Sequence, residues 1–275
     1  MTGFDRAALA RIEEAMRDAA RTEILPRFRH LGAGDIHEKN GPLDVVTVAD
    51  QAAERRITAA LTAAFPGCVV VGEEATAANP DLPKALATAD LAFVVDPIDG
   101  TANFADGMPL FAVMVAAVRR GETIASAILD PISDDISLAL RGEGAWSATP
   151  GGRTTDLHVA APVPLSQMTG KFSWRYMPPA MGAVACRNIP KIRATWDWRC
   201  AGHEYRLLAA GGCHYLLYYR ALPWDHAPGV LLLQESGGFA ATYDGTPYSP
   251  AHLGGGLLCT TDRESFHAFR EAVLP

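Results

Sequence analysis

Apolar residues at Leu9, Ile12, Met16, Ala20 and Ile24 recur every three to four positions. That spacing gives a helix one buried stripe, so the first 31 residues predict a long helix ending near Pro26. Residues 32–42, glycine-containing and charged, read as a mobile loop. Residues 43–49 then form a short strand or turn leading into a helix over 50–65, which Pro66-Gly67 closes. Two apolar runs, Cys68-Val69-Val70-Val71 and Leu91-Ala92-Phe93-Val94-Val95, show no polar alternation, as in buried strands. Between them, residues 79–89 read as a surface connection with a short helix. Residues 111–118 and 123–129 flank Arg119-Arg120-Gly121-Glu122, a hairpin signal, and 136–140 adds another antiparallel strand. The Pro/Gly-rich stretch 149–153 is the candidate boundary between parts spanning 1–150 and 151–275. Four prolines (Pro162, Pro164, Pro178, Pro179) leave 159–182 without an assignable element. Beyond it come a helix over 202–211, a strand over 214–219, and a helix over 225–236 capped by Gly237-Gly238. Strands over 239–243 and 256–260 follow, and Thr261-Asp262-Arg263-Glu264 is a capping-box pattern opening the last helix. Periodicity alone gives mixed α and β.

The segment Asp96-Pro97-Ile98-Asp99-Gly100-Thr101-Ala102-Asn103-Phe104 carries the chemistry. Two carboxylates three residues apart leave a buried strand on a stiff turn, with Pro97 fixing one backbone angle and Gly100 permitting a bend. Such a turn is either an ordinary Asp-rich turn or a site for a divalent cation and a phosphate. Glu73 and Glu74 follow the other apolar strand, so adjacent strands would bring acids together at one sheet edge. Two carboxylates about 4 Å apart repel by roughly 4 kcal/mol at an effective dielectric near 20. Several in one pocket either rise in pKa or take a cation. Oxygen donors without a His or Cys pair favour Mg²⁺ over zinc.

Three segments together resemble the inositol monophosphatase family, in the larger group that includes fructose bisphosphatases. They are the nine-residue segment above, Gly72-Glu73-Glu74, and Trp224-Asp225-His226-Ala227-Pro228-Gly229 running on to Glu235-Ser236-Gly237-Gly238. The resemblance implies a layered α+β/α/β fold, a five-layer α-β-α-β-α sandwich. Its N-terminal part would carry most metal ligands, and its C-terminal part Asp225 and the specificity residues. It further implies two or three Mg²⁺ ions, lithium sensitivity, a homodimer and a small phosphorylated substrate of the inositol-1-phosphate kind, cleaved by metal-activated water attack. Carried over residue by residue, Glu73, Asp96 and the Ile98 carbonyl would hold one ion, and Asp96, Asp99 and Asp225 a second. Glu73 also belongs to the catalytic set. Thr101 and Asp50 would deprotonate the attacking water, and the N–H groups of Gly100 and Thr101 would cradle phosphate. Asp50 and Asp225 each stand near a helix start and also fit an N-cap role, and Glu74 fits better outside direct ligation. Lys39, one of only four lysines, matches a lysine of the family's catalytic loop and equally fits a solvated charge.

The resemblance thins around the leaving group. Arg199-Cys200-Ala201-Gly202-His203-Glu204-Tyr205 is bulkier and more charged than the family's usual Gly-Ser or Gly-Thr segment. Arg220 stands where inositol-type members place an acid. Arg220 fits a second phosphate or carboxylate of the substrate, or a surface salt bridge. His203 is a candidate substrate residue or a structural one, and His226 reads as structural. Histidinol-phosphate phosphatase, fructose-1,6-bisphosphatase and 3′(2′),5′-bisphosphate nucleotidase are alternatives, and a regulatory module binding a partner protein is the non-enzyme alternative.

Composition narrows these choices. A formal net charge of −7 over 275 residues argues against nucleic acid or anionic membrane as partner. It also calls for a local positive centre to hold a phosphate, which bound metal supplies. Five scattered cysteines with no C-x-x-C pattern fit a reducing compartment. The first 31 residues lack the continuous apolar core of a signal peptide, and no run of about 18 apolar residues exists. The expected location is the cytoplasm.

Overall fold

The computed structural model describes residues 4–41, 44–251 and 254–275. Asp5 caps the first helix, α1 (Arg6–Ala19), by accepting the Ala8 N–H at 2.9 Å. The apolar stripe continues into a wider π turn at Ala20–Ile24, burying Leu9, Ile12, Met16 and Ile24. The expected loop over 32–42 is overturned. Strand β1 (Ile36–Gly41) pairs antiparallel with β2 (Asp44–Thr47), matching Ile36 with Thr47 and Glu38 with Val45. Strand β1 of this ribbon leaves His37 and Glu38 exposed and shows no apolar alternation, so its sequence reads as loop, while β2 buries Val46 and Thr47. Pro42 and Leu43, where the expected loop ends and the expected strand begins, lie outside the described residues.

Helix α2 (Val48–Ala64) begins two residues before its expected start because Thr47 is its cap. Asp50 answers from the third helical position, accepting the Thr47 N–H at 2.8 Å. Then follow β3 (Val69–Gly72), α3 (Glu73–Ala78), β4 (Ala92–Asp99), α4 (Thr101–Ala105), β5 (Ala112–Arg119), β6 (Glu122–Asp130), β7 (Asp135–Leu140), β8 (Gly144–Ala148) and β9 (Thr154–Asp156). These strands make one seven-stranded sheet in the order β3-β4-β5-β6-β7-β8-β9, antiparallel except for the β3–β4 pair. Arg119 pairs with Glu122 across a two-residue turn. Arg120 and Gly121 there both have positive φ, the conformation that matches strand twist in a hairpin.

The second part contains β10 (Thr169–Phe172), α5 (Pro179–Asn188), β11 (Ala194–Trp196), α6 (Ala201–Ala209), β12 (Tyr215–Tyr218), α7 (Pro223–Glu235), β13 (Phe239–Ala241), β14 (Leu257–Thr260) and α8 (Arg263–Val273). Its five-stranded sheet runs β11-β10-β12-β14-β13. Asp262 caps α8 by accepting the Ser265 N–H at 2.7 Å, one residue later than the Thr261 pattern suggests.

The buried clusters define the layers. Residues of α1 and α2 pack with Phe93, Val95, Val113 and Val115 on one face of the seven-stranded sheet. Helices α6 and α7 lie between its other face, at Ala112, Met114 and Ile128, and the five-stranded sheet, at Leu216 and Cys259. Helices α5 and α8 cover the far face of that second sheet. The result is the five-layer α-β-α-β-α sandwich. Because β4 and β5 are covered on both faces, residues 92–95 of β4 and 112–118 of β5 are continuous apolar runs.

Helix α7 is fixed tightly at the centre. Ser126 Oγ donates to the Pro228 carbonyl at 2.7 Å. A methyl group on Gly229 would stand 2.0 Å from the Tyr205 ring of α6. Gly229→Ala is therefore expected to cost about 1–3 kcal/mol through overpacking. Urea denaturation would read this as a lower midpoint at unchanged slope, and an unchanged midpoint would contradict the close α6–α7 contact.

Candidate active site

Strands β3 and β4 run parallel, with Gly72 opposite Val95, so Glu73 and Asp96 emerge side by side at one sheet edge. Glu73 opens α3, and that helix start is held by Glu54 of α2. The Glu54 carboxylate accepts the N–H groups of Glu74 and Ala75 at 2.7 and 2.8 Å. A Cβ on Gly72 would fall 2.2 Å from the same carboxyl carbon, so only glycine admits this approach. The β4–β5 ladder then slips: Asp96 faces Met114, whereas Asp99 faces Ala112. Three steps on β4 oppose two on β5, a bulge placed where Pro97 has no N–H to give. The bulge aims both aspartates at one cavity instead of at opposite sheet faces.

Asp99 is tied to the second half of the chain. Its Oδ2 accepts the Gly202 N–H at 2.5 Å and the Cys200 thiol at 3.1 Å. A Cβ on Gly202 would stand 2.8 Å from the Ala112 methyl, so this approach also requires glycine. Gly100 turns the chain with φ +88, its Cα facing the Leu110 and Arg199 carbonyls too closely for a side chain. Buried Asn103 donates to the carbonyls of Leu110 and Trp198, both at 2.8 Å, locking the motif against the segment entering α6. Thr101 Oγ1 lies 2.9 Å from Asp50 Oδ1 and 2.9 Å from the Ile98 carbonyl. Its single proton goes to one of them. Asp225 sits in the first turn of α7, whose cap position is Leu222 and carries no side-chain hydrogen bond, so the N-cap alternative falls away. For Asp50 the cap is Thr47, and Asp50 serves the capping box and Thr101 with different oxygens.

Glu73, Asp96, Ile98, Asp99, Gly100, Thr101, Arg220 and Asp225 all line one cavity of about 160 Å³. Burial, with repulsion from Glu73, Asp99 and Asp225, pushes the Asp96 carboxyl well above the usual carboxylate range. Burial likewise raises Asp225, together with Glu73 and Asp99, against the pull of Arg220 and Lys171. Asp99 is pushed up to about 6 by burial, with the Gly202 and Cys200 donors opposing. Burial takes Asp50 up to about 7, the Thr47 hydroxyl opposing and Glu73 adding repulsion.

Lys39 reaches in from β1, its Nζ 2.9 Å from Glu73 Oε1 and 2.6 Å from Glu74 Oε1. Burial works against the charge, yet the two carboxylates hold this lysine above its ordinary pKa. Among the described residues, no three His, Cys, Asp or Glu side chains already converge on one ligation point. Glu73 is drawn to Lys39, and one Asp99 oxygen to Gly202 and Cys200. The donor chemistry nonetheless fits a hard divalent cation: carboxylate and carbonyl oxygens on one cavity wall, with buried like charges that a cation would relieve.

His203 is placed outside the cavity. Its Nε2–H donates to the Phe111 carbonyl at 3.1 Å, leaving Nδ1 to accept from Arg206 at 3.4 Å. His226 lines the cavity but is held neutral, since burial drives its pKa down to about 3. Its Nε2–H donates to the Arg220 carbonyl and its Nδ1 accepts from Tyr205. Sequence reasoning missed Glu54, which holds the start of α3, and Lys171, which lines the cavity. Glu54 is an unremarked acid inside a helix, and Lys171 lies in the proline-broken stretch. The scarcity of lysine was the one available signal for Lys171.

The model of the inositol monophosphatase family matches residues 5–273. The inositol-1-monophosphatase of Mesorhizobium japonicum is 31% identical over 209 residues, 74% of this chain and 74% of its own. The Nus factor SuhB of Pseudomonas aeruginosa is 28% identical over 261 residues, 92% of this chain and 90% of its own. Among solved structures, the extragenic suppressor protein suhB from Bartonella henselae shares the fold with a TM-score of 0.82 at 24% identity. The match covers 97% of this chain and 98% of that one.

Proposed function

The chain belongs to the inositol monophosphatase family, and on that basis we propose a Mg²⁺-dependent phosphomonoesterase that hydrolyses a small phosphorylated alcohol of the inositol-1-phosphate kind. The observation that carries this is the convergence of Glu73, Asp96, Asp99 and Asp225, from three separate elements (α3, β4 and α7), on the cavity that Thr101 also lines. Glu73, Asp96 and the Ile98 carbonyl would hold one cation, and Asp96, Asp99 and Asp225 a second. Bound Mg²⁺ supplies charge neutralisation at the phosphoryl and leaving oxygens and acidifies the attacking water.

The chain's own groups do the rest. Thr101 Oγ1 takes a proton from water as it passes its own to Asp50 Oδ1, 2.9 Å away. Asp50, raised to about 7, is basic enough to accept that proton near neutrality. Its other oxygen is fixed by the Thr47 N–H and hydroxyl, so the acceptor stays oriented. The N–H groups of Gly100 and Thr101, at the start of α4 beside the cavity, would receive phosphate oxygens. Lys39 balances Glu73 and Glu74 at the rim.

Purified protein is expected to release phosphate from sugar and polyol phosphates in the presence of Mg²⁺. A chelator should stop release and re-added Mg²⁺ restore it. Release unaffected by chelation would contradict the proposal. The same reading includes a cytoplasmic homodimer, which sedimentation tests through a mass of two chains. The name Nus factor SuhB, borne by one relative, favours a second reading in which this fold docks on a partner protein. No turnover across the substrate panel, together with a co-purifying partner, would select it.

A further inference from the structure

The cavity has a second wall that the proposed hydrolysis does not use. Strand alternation sends Phe172 of β10 into the core shared with α5 and α8, and Lys171 to the opposite face, into the cavity. Lys171 is only 4% exposed, with Nζ 3.5 Å from the centre of the Tyr218 ring. Glu204 Oε2 stands 3.8 Å from Nζ, beyond hydrogen-bonding distance. Among the described residues, Lys171 Nζ donates no hydrogen bond. The Glu204 oxygens are themselves engaged, one by the Trp198 N–H and the other by the Tyr218 hydroxyl, both at 2.9 Å. Glu204 and the Tyr218 ring balance the Lys171 charge, but its three N–H donors have no acceptor at hydrogen-bonding distance among the described residues and open onto the cavity, where an anionic group could accept from them. Arg220 lines the same wall, its guanidinium 4.6 Å from the centre of the Tyr176 ring, and exposed Arg175 stands at the mouth. A neutral polyol leaving group would leave all three charges without a counterpart in the substrate.

We propose that Lys171 and Arg220, with Arg175 at the mouth, form a subsite for a second anionic group, a phosphate or a carboxylate, on the alcohol that carries the scissile phosphate. This rests on the phosphatase function proposed above and narrows its substrate class. The acidic wall receives the cations and the transferred phosphoryl group, and the basic wall receives the second anion and sets the substrate's orientation. The guanidinium fork suits a carboxylate or phosphate bidentately, and the lysine contributes a compact point charge.

Matched substrates test the subsite. 2-Phosphoglycerate differs from glycerol 2-phosphate by a carboxylate, and fructose 1,6-bisphosphate from fructose 1-phosphate by a phosphate. The expected result is that kcat/KM favours the more charged member of at least one pair by about tenfold or more. The pair showing the preference identifies which anion is read. Lys171→Met and Arg220→Gln should each erase most of that preference by raising KM for the charged member, with KM for its partner nearly unchanged. A merely structural lysine would shift both members together. Thermal melts confirm folding, and because Arg220 is half-buried at the rim, its variant keeps the test open if Lys171→Met fails to fold. Equal kcat/KM within both pairs, or a preference that survives both substitutions, overturns the subsite while leaving the phosphatase standing. If neither these four compounds nor inositol 1-phosphate is turned over, the phosphatase proposal fails. Calorimetric titration of the same compounds then decides the subsite by itself: tighter binding of the charged members, lost in the variants, supports it, and equal binding overturns it.

Discussion

Asp99→Asn is expected to reduce Mg²⁺-dependent phosphate release by about 10³-fold or more, several kcal/mol of barrier, while the protein stays folded. The reason lies in how the carboxylate is held. Oδ2 already accepts from the Gly202 N–H and the Cys200 thiol. An asparagine must place its only acceptor oxygen there, which leaves an NH₂ group, a donor without a lone pair, as its other atom. A cation-binding oxygen becomes a cation-repelling group in almost the same volume. Stability should move the other way. In wild type, the Asp99 carboxyl is raised from 3.8 to about 6, so the folded state holds more protons than the unfolded chain between those values. Stability in metal-free buffer therefore falls as pH rises through that window. The Asn variant should lose less over the same range in chemical denaturation. Full activity in the variant would remove Asp99 from the metal site.

Asp50→Asn is expected to lower kcat by about 10²–10⁴-fold with little change in KM. Asp50 Oδ2 accepts two buried donors from Thr47, so the asparagine oxygen is again committed and its NH₂ group faces Thr101. Thr101 then has no base to receive its proton. Thr101→Val should give a similar loss, and the double variant should be no worse than either single one, because the two act as a unit. Losses that multiply in the double variant would mean that the residues act separately. Loss of helix capping alone would change the melting temperature and not the kcat of the folded enzyme.

The parts of the fold that were legible in the sequence are those whose burial leaves a mark. Residues 92–95 of β4 and 112–118 of β5, covered on both faces, are unbroken apolar runs, and Arg120-Gly121 declares its hairpin. Strand β1 left no mark because its His37 and Glu38 face solvent, so Lys39 was expected on a loop and sits instead on a strand. Strand β10 was hidden for a different reason. It is four residues long, lies among prolines, and needs Gly170, where a Cβ would come within 2.0 Å of the Tyr215 carbonyl oxygen. Close approach of two strands is a tertiary fact that no local pattern states. The same holds at the site. The acids of the Asp96 segment are local and were found, whereas the supports that aim them are remote in sequence. Glu54 reaches the start of α3 from α2, and Gly202 reaches Asp99 across more than a hundred residues. The arrangement of His203 also depends on a remote partner, the Phe111 carbonyl, which draws its ring out of the cavity.

On this mechanism, oxygens from both halves of the chain share divalent cations. Crystals grown with Mn²⁺ in place of Mg²⁺, with anomalous scattering recorded at the manganese edge, test it most directly. Manganese peaks are expected within coordination distance of Glu73, Asp96 and the Ile98 carbonyl, and of Asp99 and Asp225. A cavity without manganese at saturating concentration, with Lys39 still paired to Glu73, would contradict it.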